Sequence, residues 1–167
     1  MLFSEVVRDL GRHAQVHHAQ AAIRAVHGAS AARWLADYEG ISRRTARRWL
    51  SASYPRARAH NIIRAASDAS GLSGLAAQRL RRATRLDVGT VDVEYDGDPQ
   101  KTRTPGPLDV TPTMANYLTT AANALDRRDL ETAGDAFSRA VMHGYEPGLE
   151  DTLYIAGYDA NGVDLEE

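Results

Sequence analysis

Apolar residues recur at three- and four-residue intervals through the first half of the chain, then switch to alternate positions just past Leu86. Val6, Val7 and Leu10, then Ile23 and Val26, then Trp34 and Leu35 are spaced for the inner faces of helices, with alanine abundant between them. Gly28-Ala29-Ser30 stops one helix and places Ser30 to cap the next. Pro55 interrupts the pattern after Trp49-Leu50. The spacing predicts a helix over Ala59 to Ala66 and another over Leu75 to Ala83, separated by a loop at Ser70 to Gly74. Val88, Val91, Val93 and Tyr95 then lie mostly at alternate positions, as in a half-buried strand.

The segment Asp96 to Pro107 holds two glycines and three prolines and cannot continue a central strand. Leu108 and Val110 suggest a second short strand, and Thr111-Pro112 begins a helix with proline in its first turn. That helix puts Met114, Tyr117, Leu118, Ala121, Ala122 and Leu125 on one face. After a turn at Asp126 to Asp129, a second helix carries Leu130, Ala133, Phe137, Ala140 and Val141 inward and is ended by His143-Gly144. Leu153 to Tyr158 reads as the last strand, with Asn161-Gly162 as a hairpin turn before Val163-Asp164-Leu165. The expected fold is mainly α with a small α+β C-terminal part: a helical bundle containing a helix-turn-helix, then strand–loop–strand–helix–helix–strand. Two domains follow from this pattern, residues 1–86 and 87–167.

Charge sharpens that division. Fifteen arginines face five acids in the first 86 residues, a net +10, while five basic residues face seventeen acids in the remainder, a net −12. The total of −2 therefore conceals a cationic module suited to a polyanion and an acidic module that avoids one. With no cysteine there is no disulfide framework, cysteine-ligated zinc or thiol nucleophile. No apolar stretch approaches the roughly 20 residues that cross a bilayer, and the N-terminus lacks a signal-peptide pattern. A cytoplasmic, nucleoid-associated protein with no membrane partner is expected.

The strongest motif is Ala32 to Leu50, ARWLADYEGISRRTARRWL. A helix-turn-helix needs a small residue where its helices touch, a turn residue that takes positive φ, and apolar residues that lock the pair. Ala36, Gly40, Ile41, Ala46 and Trp49 fill these places, with Ser42 as N-cap of the second helix. Glu39 stands where an apolar residue would be more usual. The outward face of the second helix offers Arg43, Arg44, Arg47 and Arg48, with Thr45 beside them, for guanine edges or phosphates in the major groove. Arg56 and Arg58, past Pro55, are placed to reach the flanking backbone. A charge run alone is usually solvated surface, but the glycine and alanine spacing favours DNA here.

GASAARWLADYEGISRRTARRWL followed by YPRARA resembles the N-terminal module of the telomere terminal proteins (the Tpg type) of actinobacterial linear chromosomes and plasmids. Gly40, Ile41, Ser42, Arg44, Thr45, Arg48, Pro55 and Arg56 match its G-I-S-x-R-T-x-x-R pattern and following Pro-Arg. Leu108 to Thr113, an Ala-rich helix pair and an acidic tail are similar in layout to the rest. The chain departs in being shorter, and an Ala/Arg/Ser segment stands where the family is lysine-rich. The resemblance implies a protein that caps the 3′ overhang of a linear replicon with a telomere-binding partner and offers a side-chain hydroxyl as primer to a DNA polymerase. The polymerase supplies the phosphoryl chemistry, so the chain is not expected to be an enzyme or to need a cofactor. Thr104, then Thr102, are the candidate acceptors, being the only hydroxyls of the Asp96 to Pro107 segment, interleaved with Lys101 and Arg103. An ordinary inter-strand loop is the plainer reading of that segment.

The competing reading is a helix-turn-helix regulator or plasmid-maintenance protein that binds an operator as a homodimer. Leu108-Asp109-Val110 followed by two helices resembles a ribbon-helix-helix, although Asp109 and the acidic surroundings argue against direct DNA contact there. His13, His17 and His18 could bring imidazoles together, but without a carboxylate nearby beyond Asp9 no metal site is expected. Asp159 to Asp164 has the acids of a calcium loop without its full pattern and reads as a turn. Tyr117, Phe137, Tyr145 and Tyr154 read as core rather than as a base-stacking platform.

Overall fold

A computed structural model describes all residues, 1–167. The helices are α1 (Phe3–Arg12), α2 (Val16–His27), α3 (Ala31–Glu39), α4 (Arg43–Trp49), α5 (Ala59–Arg82), α6 (Pro112–Asp126) and α7 (Leu130–Tyr145). The strands are β1 (Arg85–Asp87), β2 (Val91–Tyr95), β3 (Asp98–Pro99), β4 (Pro107–Asp109), β5 (Tyr154–Tyr158) and β6 (Asp164–Glu166). The protein is mainly α with a small β part, as the pattern predicts. No helix is long and apolar enough to cross a membrane.

Two apolar cores form. One gathers Ile23, Leu35, Ala46, Trp49, Ile62 and Leu75 from α2 to α5. The other gathers Leu86, Val91, Leu118, Phe137 and Leu165 from the strands, α6 and α7. The border between the two cores does not run at Leu86: Val6, Val7 and Leu10 of α1, and Ala76, Ala77 and Leu80 of α5, belong to the second core. Charge divides the chain at residue 86, but packing sends the first helix across that line.

α5 modifies one expectation. The break expected within Ser70 to Gly74 is present, but it is a kink at a single non-helical residue, Gly71 (φ 69°, ψ 176°), where two helical segments of the Ala59–Arg82 element join, and not a five-residue loop. Only glycine enters that backbone region without strain. The bend lets one helix present Ile62, Ala65 and Ala66 to the first core and Ala76, Ala77 and Leu80 to the second. Gly71→Ala is expected to cost about 1–3 kcal/mol by chemical denaturation; an unchanged midpoint would show that the bend carries no strain.

Six short strands make two three-stranded antiparallel sheets, ordered β4-β1-β6 and β3-β2-β5. Leu86 faces Leu108 on one side and Leu165 on the other, so one buried row crosses the first sheet. The expected hairpin at Asn161-Gly162 is therefore not one: β5 pairs with β2 and β6 with β1, in different sheets. Gly162 still closes a turn onto Asp159 O (3.1 Å). The strand at Leu108 pairs with β1 of its own chain, unlike a ribbon-helix-helix strand, which pairs with a second copy. Thr111 caps α6, its hydroxyl accepting from Met114 N at 3.3 Å. α7 runs past His143-Gly144 to Tyr145. Phe137 is core, whereas Tyr117 is half-buried and Tyr145 and Tyr154 are exposed.

Candidate nucleic-acid interface

α3 and α4 meet in a tight turn. Gly40 takes the left-handed conformation (φ 67°, ψ 36°), and Ile41 N donates back to Ala36 O at 3.0 Å, closing the end of α3. Ser42 then caps α4, its hydroxyl accepting from Thr45 N at 3.1 Å. Ala36 and Ala46 are buried where the helices touch, and Trp49 and Leu50 carry the inner face of α4 into the core.

Neighbouring helices fix this pair. Gln20 of α2 is buried, and its amide donates to Trp49 O (2.8 Å) and Ser51 O (2.9 Å), while Arg24 donates to Leu50 O. These contacts satisfy carbonyls that the end of α4 would leave open. Glu39, the awkward position of the motif, turns toward α5, where Asn61 and Arg64 each donate to it at 3.2 Å. Its side chain is only 8% exposed, so Glu39 replaces an apolar contact with a paired one. On the side of α3 turned to α2, the rings of His27, Trp34 and Tyr38 stack at 4.3 and 5.0 Å. Tyr38 also donates to Asp68 of α5. Sequence reasoning did not identify Gln20, Asn61 or this stack, because each acts across 20 or more residues or by ring contact alone.

A helix turns about 100° per residue. Arg44 and Arg48 stand two residues before and after buried Ala46 and therefore point outward; Arg43 and Arg47 lie together on one side of them. All four are exposed, and Thr45 is half-buried beside them. Arg48 Nε donates to Ser53 O at 3.2 Å, which tethers it to the following turn. Arg44 makes no such bond. Pro55 leads into a single 3-10 turn, Arg56–Arg58, whose two arginines are also exposed. The Arg58 guanidinium lies 5.9 Å above the Trp49 ring, which ties this turn to the end of α4.

None of these six arginines lies within ion-pair distance of a carboxylate, whereas Arg64, Arg79, Arg81, Arg85 and Arg139 all do. Arg8, Arg12, Arg33 and Arg82 are likewise exposed and unpaired, so what sets the α4 region apart is density: six unpaired arginines within sixteen residues, on one helix and the turn that follows it. A patch of this kind attracts anions such as phosphate.

Thr102 and Thr104 lie elsewhere, on the acidic half. The expected loop is partly ordered: Gln100 N donates to Val93 O (2.8 Å), and Arg103 and Val91 exchange bonds of 2.9 and 2.8 Å. The stretch thus extends the edge of the β3-β2-β5 sheet instead of hanging free. Both threonines are exposed, and the Thr104 hydroxyl lies 3.2 Å from that of Thr90. Arg103 bonds to the carbonyls of Lys101 and Thr102.

The histidines find a partner that their own neighbourhood does not show. His17 Nε2 lies 3.1 Å from Glu167 Oε2, and His18 Nε2 lies 2.7 Å from Oε1. His13 instead meets Asp9 on the surface. Burial lowers the His18 pKa to about 4, so the ring is neutral at pH 7. Burial would raise the Glu167 carboxyl, but the hydrogen bond to His17 and the proximity of His18 hold it below its ordinary value. His18 Nδ1 accepts from Gln15 N at 2.9 Å, which keeps the ring proton on Nε2. A metal ion would need that nitrogen bare, and the Arg79 guanidinium stands 3.7 Å from the same carboxylate. The set suits an anion better than a cation.

No protein-family model, characterised protein or solved structure matches the chain.

Proposed function

We propose that the chain is a DNA-binding protein that lays α4 in the major groove. Arg44 reads base edges, and Arg43, Arg47, Arg56 and Arg58 hold phosphates to either side. The observation that carries this reading is the group of six exposed arginines without carboxylate partners, set on a helix-turn-helix whose turn and contacts are all satisfied. Tethered Arg48 completes the outward stripe with restricted reach. Selection from a randomised duplex library should enrich a short motif containing guanine opposite Arg44. Recovery of unenriched sequence would contradict base reading and leave only phosphate attraction.

The finer reading, from the resemblance of the α3–α4 segment, is a terminal protein that primes end patching with a DNA polymerase and a telomere-binding partner. The exposure of Thr104 and Thr102 supports it, since an acceptor hydroxyl must enter a polymerase cleft. The order of their segment counts against ready entry, because the strand must first peel from β2. Protein purified from its native cells under denaturing conditions and digested with nuclease should then carry one or a few nucleotides at Thr104 or Thr102. An unmodified intact mass in the DNA-enriched fraction would reject priming and favour the operator-binding regulator.

A further inference from the structure

The donors around Glu167 have no part in the helix-turn-helix, and they are unusual in being buried and incompletely used. His18 is 1% exposed and Arg79 8%. Gln15 N fixes the His18 proton on Nε2, as described above. Two Arg79 nitrogens make only long bonds, each 3.4 Å, to Leu10 O and Leu165 O. His18 Nε2 and Arg79 Nε complete no aligned hydrogen bond, although both turn toward Glu167 Oε1, at 2.7 and 3.7 Å. His17 supplies a third donor at the rim, 3.1 Å from the other carboxylate oxygen.

These side chains line a cavity of about 320 Å³. It shares His13, Gln15 and Arg79 with an adjoining cavity of about 640 Å³, whose wall carries Asp9, Asp87, Asp159 and Asp164. A carboxylate has two oxygens in one plane and leaves Arg79 Nε short of contact. A phosphate monoester has three terminal oxygens on separate corners, one for each of His17, His18 and Arg79. The four aspartates next door would repel a bare dianion but favour one that brings a positive charge with it.

The geometry points to a phosphate seat at Arg79, His18 and His17, occupied by the Glu167 carboxylate when no ligand is bound, that takes a phosphate ester chelated to a divalent cation. This goes beyond the DNA-binding reading and does not depend on it, since none of the α4 arginines lines either cavity.

The test uses the full chain and its Glu167→Ala variant, with inorganic phosphate, a nucleoside monophosphate or a 5′-phosphorylated oligonucleotide, each with magnesium and at matched ionic strength. Vacating the seat should tighten apparent binding by about tenfold, because the ligand no longer competes with an internal carboxylate. The melting temperature of Glu167→Ala should therefore rise with ligand more than that of the parent chain, and adding Arg79→Met should abolish the rise. Should that double variant not fold, the His18 ring nitrogens of the parent chain give the same reading by NMR and should shift on titration. A response to the nucleoside monophosphate assigns the seat to a free nucleotide, and a response to the oligonucleotide alone assigns it to a DNA end. An identical response without magnesium would overturn the chelated cation. Overturning the seat itself takes a folded Glu167→Ala chain that melts alike in phosphate and chloride, with no shift at His18.

Discussion

Arg44→Ala is expected to weaken binding to the selected duplex by about five- to 150-fold, the cost of roughly 1–3 kcal/mol for one bidentate base contact. It should also relax selection at one base pair. The expectation follows from position. Arg44 stands on the outward stripe of α4, opposite buried Ala46, and neither a carboxylate nor a carbonyl of the chain holds its guanidinium. Arg43, Arg47, Arg56 and Arg58 should behave differently. Replacing any of them with alanine should lower affinity for all sequences alike and reduce the salt slope by about one. Fluorescence anisotropy against the selected duplex and a scrambled one, at several salt concentrations, separates the two behaviours. Equal losses on both duplexes for Arg44→Ala would make it another phosphate contact.

Trp49→Ala should have the largest effect on stability, about 3–5 kcal/mol for the loss of a large buried aromatic side chain. Trp49 is 5% exposed, closes the inner face of α4 and carries the Arg58 guanidinium on its ring. The backbone bonds from Gln20 and Arg24 would persist, but the ring they position would be gone. DNA affinity should fall with stability, because Arg58 and the turn that carries it lose their anchor to α4. Leu118→Ala, in the other core, serves as the control: it should destabilise through α6 while leaving the affinity of the folded fraction unchanged. A Trp49→Ala chain that stays folded and binds DNA normally would show that α4 is held by its carbonyl bonds alone.

Much of the helix-turn-helix was legible because its demands are local. Gly40 supplies a backbone angle, Ser42 a cap three residues from its target, and Ala36 and Ala46 the clearance between helices, all within eleven residues. The strands near Val91 and Leu108 and the α6–α7 pair were legible for the same reason, through their periods. What sequence could not supply was allegiance between distant segments. Nothing in the spacing of Val6, Val7 and Leu10 says that α1 joins the second core, and nothing near Asn161-Gly162 says that the two flanking strands part into different sheets. Ser70 to Gly74 has loop composition, yet packing on both cores holds it helical except at Gly71. Glu39 looked unsuited to its place until Asn61 and Arg64 arrived from α5. The histidines lacked a carboxylate only within their own helix, since Glu167 comes from the far end of the sequence.

The most direct test of the DNA-binding reading is the salt dependence of the intact chain on randomised duplex DNA, followed by anisotropy. The four arginines assigned to phosphates predict binding at low salt that weakens steeply, with a slope of log affinity against log salt near −4, at about 0.9 per phosphate neutralised. A flat dependence, or no binding at all in low salt, would contradict the assignment of α4 and the Arg56–Arg58 turn as a DNA-binding surface.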